Sequence, residues 1–114
     1  MKLTVVIPCY NENNTIQTVV ERVLDCPLEN IEIIVVDDAS TDGTQETLMR
    51  STGSLVTKVI YHERNLGKGA AIRSGLNVAT GDVVVIQDAD LEYDPNELPE
   101  MFELIKAEIG RAHV

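Results

Sequence analysis

Asp88 and Asp90 stand one residue apart, just after a short run of Val and Ile. Closely spaced carboxylate oxygens suit a hard divalent cation such as magnesium or manganese, which keeps coordination sites for substrate phosphates. A cation held there would bridge a diphosphate and stabilise it as a leaving group. A D-x-D pair alone is weak evidence, because aspartate is common in the turns of loops. Its weight comes from its company. Other apolar runs end in Pro8-Cys9-Tyr10-Asn11-Glu12, in Asp37-Asp38-Ala39-Ser40, and in Tyr61-His62-Glu63-Arg64-Asn65 leading into Leu66-Gly67-Lys68-Gly69. Of Asp37 and Asp38, one could accept hydrogen bonds from a base or ribose while the other braces the loop or the helix start. Tyr10 offers a flat face for stacking a base, or is a half-buried loop tyrosine. Gly67 and Gly69 allow close approach of backbone to a ligand. Lys68 between them would meet phosphate charge, or else sit solvated at a loose helix start. His62 and His113 lie near no nucleophile or second histidine in the chain and receive no role.

For these groups to act together, the apolar runs must be strands of one sheet. Leu3 to Ile7, Ile31 to Val36, Val56 to Tyr61 and Val83 to Ile86 are rich in Val and Ile, and three of them are almost continuously apolar. That pattern suits parallel strands covered on both faces. Between them, Ile16, Val19, Val20, Val23 and Leu24 form the stripe of a one-sided helix, with Asn13 or Asn14 expected as its N-cap. Asp42 is expected to cap a second helix, with Gln45 completing a capping box. A third is expected from about Gly67 to Ala79, stopped by Gly81 as its C′ residue, and a fourth begins near Asp94-Pro95 or Pro99. The order βαβαβαβα implies right-handed crossovers and a doubly wound, mostly parallel, Rossmann-like α/β sheet. Ligands of such sheets bind beyond the carboxyl ends of the strands, where the polar clusters fall.

Composition bounds the partners. The 114 residues carry 9 Lys+Arg against 19 Asp+Glu, a formal net charge of −10, which argues against a nucleic-acid surface. It does not oppose nucleotide binding, since one metal ion can neutralise a diphosphate locally. At 44% hydrophobic and 25% charged residues, the composition is that of one globular domain. Cys9 and Cys26 form no C-x-x-C pair and read as reduced thiols. No apolar run reaches transmembrane length and no signal peptide precedes the first strand, so the expectation is a soluble, cytoplasmic chain. Any membrane contact would come through a missing C-terminal part.

The segments Val5-Val6-Ile7-Pro8-Cys9-Tyr10-Asn11-Glu12, Val35 to Thr44, Asn65 to Ala71 and Gly81-Asp82 leading to Asp88-Ala89-Asp90-Leu91 together resemble family 2 glycosyltransferases. Within that family they look most like the dolichol-phosphate mannosyltransferase and glucosyltransferase branch. The resemblance covers Leu3 to about Ala107, and it implies the nucleotide-sugar-binding half of a GT-A fold. It also implies a nucleoside-diphosphate-sugar donor, a divalent metal (magnesium or manganese) and inversion at the anomeric carbon. An acceptor such as polyprenyl phosphate or a cell-envelope glycan would follow. Carried over by motif, Pro8, Tyr10 and Glu12 contact the nucleoside. Asp38, with Val36, reads the base, and Lys68 and Ala89 join the nucleotide-sugar site. Asp88 faces the ribose or the metal-bound phosphate. Asp90 ligates the metal, with Glu92 where that branch often has Gln. The catalytic base and the acceptor loops are expected beyond Val114. Residues 108–114 translate a common DNA-sequencing adapter and are read as a non-native tail, leaving 1–107 as an incomplete domain.

Rival readings differ in strand-end chemistry. A receiver domain carries its acid pair after the first strand, whereas here the pair follows the second. A nucleotidyltransferase needs a Gly-rich, Arg-containing loop after the first strand, and Pro8-Cys9-Tyr10-Asn11-Glu12 is not one. A P-loop is excluded by the lack of its motif. Two alternatives stay open: a non-catalytic nucleotide-binding module and, behind it, a receiver-type phosphoacceptor domain.

Overall fold

The computed structural model describes residues 1–90, 97–101, 103 and 104. Its four strands are β1 (Leu3–Cys9), β2 (Ile31–Asp37), β3 (Lys58–Tyr61) and β4 (Val83–Ile86). All pair in parallel, in the order β3-β2-β1-β4. The central pair runs in register from Leu3 opposite Ile31 to Cys9 opposite Asp37. Helices α1 (Ile16–Asp25), α2 (Thr44–Arg50) and α3 (Lys68–Val78) connect them, with a 3-10 turn at Thr52–Leu55. The winding is the expected one. It also removes the receiver-domain reading, whose flavodoxin-like sheet places its third strand beside the first rather than outside the second.

The strand residues sort by parity, because alternate side chains leave a strand on opposite faces. Leu3, Val5, Ile7, Ile33 and Val35 pack with Ile16, Val19, Val20 and Val23 of α1 and with Leu48 of α2. Val6, Ile34 and Val36 pack with Ala71 of α3 on the other face. Both faces of β1 and β2 are therefore covered, which is why those runs are continuously apolar. Gly75 lets α3 come close, since a Cβ there would lie 2.5 Å from Val6 Cγ1. With β2 and β3 on one side of β1 and β4 on the other, the winding reverses between β1 and β4. A crevice opens at that point, beyond the carboxyl ends of the strands.

Several local expectations give way to tertiary bonds. Neither Asn13 nor Asn14 caps α1; Thr15 is the N-cap, and the Glu12 carbonyl accepts from the Thr15 and Ile16 amides. The side-chain oxygen Oδ1 of Asn13 instead accepts from the Thr47 hydroxyl at 2.5 Å. Leu24 is 42% exposed and falls outside the α1 stripe. Gly43 is the N-cap of α2, while Asp42 accepts from the Thr44 amide and hydroxyl. Gln45 makes no capping box and donates to Asp37 at 2.9 Å. Strand β3 starts at Lys58 rather than Val56, because the Thr57 hydroxyl takes the Ile33 amide in place of a backbone carbonyl. Ala79, not a glycine-led C′, follows α3. Gly81 is needed for space, since a Cβ there would meet Thr4 Oγ1 at 2.5 Å. Helical backbone runs through 98–101, 103 and 104, so Pro99 falls inside that segment. Asp94-Pro95, Glu92, His113 and the tail 108–114 lie outside the described residues.

At the amino ends of the strands, Glu32 is a buried carboxylate held by three hydrogen bonds. It accepts from the Thr4 hydroxyl, the Thr80 amide and the Thr80 hydroxyl at 2.8–2.9 Å. Lys2 lies 3.6 Å away. This network ties β1, β2 and the turn before β4 together opposite the crevice.

Candidate nucleotide site at the sheet switch point

A cleft of about 380 Å³ occupies the crevice. Its walls include Pro8, Cys9, Tyr10 and Glu12 from the end of β1, and Asp38 from the end of β2. Asn65, Gly67 and Lys68 come from the approach to α3, and Asp88, Ala89 and Asp90 follow β4. The sheet ladder carries each cluster to this place. The Asp38 amide bonds the Cys9 carbonyl, the His62 amide the Asp37 carbonyl, and the Gln87 amide the Val6 carbonyl. Of the site residues expected from sequence, Pro8, Tyr10, Glu12, Asp38, Lys68, Asp88, Ala89 and Asp90 all line this cleft. Val36 does not: it is fully buried in the α3-side core and lies outside the lining.

The two neighbouring aspartates separate cleanly. Asp37 is fully buried and accepts from the Ser40 amide, the Ser40 hydroxyl and Gln45. It braces the β2–α2 loop. Asp38 faces the cleft with a side chain 5% exposed. Its Oδ1 accepts from His62 Nδ1 at 2.9 Å and from the Leu66 amide at 2.8 Å, and its Oδ2 from the Gly67 amide at 2.9 Å. Burial raises the Asp38 pKa, but the His62 bond and the two amides outweigh it and hold the carboxyl below its usual range. A carboxylate has about four acceptor directions, so one remains for a ligand N–H or O–H.

Backbone geometry at the rim is special. Asn11 (φ 53) and Ala39 (φ 62) occupy the left-handed region, which Asn tolerates better than Ala. The Asn11 amide donates to Ser40 Oγ, and Asn11 Oδ1 accepts from the Thr41 amide, so the β1 and β2 loops are stitched together. Tyr10, next to Asn11, is 47% exposed and lines the cleft. Cys9 is buried in the wall of the cleft, and burial, then the charges of Asp37 and Glu12, push its thiol up to about 12.

Electrostatics divide the cleft. The Lys68 ammonium lies 2.5 Å from Asp88 Oδ1, so the part-buried first aspartate of the pair already meets positive charge. Asp90 is exposed at the rim. The Ala89 carbonyl between them accepts from the Thr15 hydroxyl at 2.5 Å, which anchors the D-x-D turn to the start of α1. Among the described residues no three of His, Cys, Asp and Glu come together as a metal cluster. Two carboxylates are nonetheless a fitting donor set for a hard cation that retains water and phosphate oxygens.

The sequence reading missed His62. Its side chain is 8% exposed, and Nε2 lies 2.8 Å from Ser74 Oγ while Nδ1 bonds Asp38. Its partners stand 24 and 12 residues away. The available signal was its place directly after β3, matching the positions of the other polar clusters.

Residues 4–109 match the family described as Glycosyl transferase family 2. The chain is 39% identical over 108 residues to a dolichol-phosphate mannosyltransferase of Pyrococcus furiosus, covering 93% of this chain and 30% of that protein. It superposes on the mannosyltransferase PcManGT from Pyrobaculum calidifontis, solved in complex with GDP-Man and Mn2+. The TM-score is 0.71 at 34% identity, over 78% of this chain and 27% of that one. Against S. aureus TarS in complex with UDP-GlcNAc the TM-score is 0.79 at 27% identity, over 95% of this chain and 32% of that one. The chain thus spans about a third of the length of these relatives.

Proposed function

The chain belongs to glycosyl transferase family 2, and we propose that its cleft is the donor site of an inverting glycosyltransferase using a nucleoside-diphosphate sugar. The observation that carries this reading is the convergence of Tyr10, Asp38, Lys68, Asp88 and Asp90, from separate strand ends, on one cleft at the switch point. A mononucleotide has three parts, and the lining offers a partner for each. The Tyr10 ring stacks on the base, and the remaining acceptor direction of Asp38 takes a base N–H. Asp88 meets the ribose or the first phosphate. Lys68, on the loop entering α3, supplies charge for the diphosphate.

Asp88 and Asp90, with Glu92 from outside the described residues, would hold a magnesium or manganese ion. Such an ion would neutralise charge on the departing nucleoside diphosphate. The protein's own part is to fix the donor so that the anomeric carbon faces an acceptor, and orientation of that kind carries much of a transfer rate. Inversion requires a base to deprotonate the acceptor as it attacks. Asp37 is sealed and Asp38 is engaged with the loop, so the base is assigned to a part of the protein outside this chain. The same holds for the acceptor walls. Polyprenyl phosphate is the proposed acceptor, because the Pyrococcus furiosus relative is a dolichol-phosphate mannosyltransferase.

The test is transfer of radiolabelled sugar from GDP-mannose, UDP-glucose and UDP-N-acetylglucosamine to polyprenyl phosphate by the full-length protein with manganese. Inverted, lipid-linked product from one donor is the expected outcome. Absence of transfer from every donor, to this acceptor and to simple glycans, would overturn the reading.

A further inference from the structure

His62 does not line the cleft, yet it bonds Asp38, the residue proposed to read the nucleobase. Its ring closes a chain of bonds from Ser74 in α3, through His62 after β3, to Asp38 after β2. From Asp38 the chain returns to the Leu66 and Gly67 amides, just before α3 begins. The His62 amide is itself fixed by the Asp37 carbonyl at 2.8 Å, so the ring has a firm base. A carboxylate only accepts hydrogen bonds, so Nδ1 carries the proton toward Asp38. The Ser74 hydroxyl, which donates or accepts, completes the bond to Nε2 in either state of the ring.

We infer that His62 is a positioning residue for the donor nucleotide: through Nδ1 it fixes the rotamer of Asp38, and through Asp38 it fixes the Leu66–Gly67 turn that presents Lys68. This rests on the donor-site reading of the cleft. Without the ring, Oδ1 keeps only the Leu66 amide, and the carboxylate is free to rotate its remaining acceptor direction away from the ligand. A buried hydrogen-bonded side chain that sets the angle of a binding group acts on affinity as well as on stability.

The experiment measures calorimetric affinity for GDP and for UDP, each with manganese, in the full-length protein and its variants. His62→Ala is expected to weaken binding of the preferred nucleotide about tenfold, the order expected for one charge-assisted hydrogen bond. His62→Asn places an amide N–H where Nδ1 was and should recover most of that loss. His62→Gln reaches toward Ser74 instead and should not. A merely structural role would lower the melting temperature without separating Asn from Gln in affinity. Wild-type affinity in His62→Ala would remove the role while leaving the donor reading intact, as would equal affinities of the Asn and Gln variants. If His62→Ala fails to fold, the Asn and Gln pair decides alone. No binding of either nucleotide by the wild-type protein would overturn the donor reading and His62's role with it.

Discussion

Asp37 and Asp38 are adjacent in sequence and opposite in use, because neighbouring strand-end residues point to different sides. Each accepts three hydrogen bonds, but those to Asp37 hold it fully buried in the β2–α2 loop, whereas Asp38 lines the cleft and turns its remaining acceptor direction that way. Glu32, at the other end of the sheet, shows what a purely structural carboxylate looks like. Burial raises its pKa, but the Thr80 amide, the Thr4 and Thr80 hydroxyls and Lys2 together bring it down to about 2. An unfolded glutamate titrates near 4.3. The folded form is therefore favoured by the charged state. Glu32's stabilisation is complete above about pH 5 and is lost as pH falls toward 2. Urea unfolding across that window should show a shallower acid loss in Glu32→Gln than in wild type. At neutral pH the variant should be less stable by about 1–3 kcal/mol, the usual cost of disturbing a buried bonded group. An unchanged acid slope would show that another carboxylate, such as Asp42, dominates there.

The elements were legible where one physical signal dominated. Strands β1 and β2 are buried on both faces, so their Val and Ile runs announced them and their parallel pairing. The acids at their ends were legible for the same reason, since a parallel sheet brings all carboxyl ends to one edge. What failed were signals that compete with tertiary bonding. Asn13 and Gln45 have the chemistry of caps, but the fold offers them Thr47 and Asp37 instead. His62 was invisible because neither Asp38 nor Ser74 is local to it. Gly75 was a similar case, an inconspicuous helix glycine until Val6 is placed against it. Helix propensity alone would make Gly75→Ala stabilising by about 0.5–1 kcal/mol. The 2.5 Å approach to a β-branched side chain in a packed core reverses that sign. Gly75→Ala is expected to cost about 1–3 kcal/mol by forcing α3 off β1. Thermal unfolding of the variant at or above the wild-type melting temperature would show that α3 shifts at no cost.

On the scale of the molecule, one end of the sheet is closed by the Glu32 network and the other holds the cleft. Stability and binding chemistry are thus separated along the strand direction. The net charge of −10 makes the whole an unwelcoming partner for a free diphosphate. A local cation would offset that charge, and Asp88 and Asp90 of the D-x-D turn both line the cleft. On the proposed reading, a nucleoside diphosphate binds there with help from a divalent ion held by Asp90. The deciding measurement is titration calorimetry of GDP and UDP, with manganese and with chelator, in wild type and Asp90→Asn. The expected result is binding of at least one nucleotide that manganese tightens about tenfold or more in wild type and fails to tighten in Asp90→Asn, with the melting temperature of the metal-free variant unchanged, as suits an exposed residue. Nucleotide binding that is equally manganese-dependent in both proteins, or absent from both, would rule out a metal-assisted donor site held by Asp90.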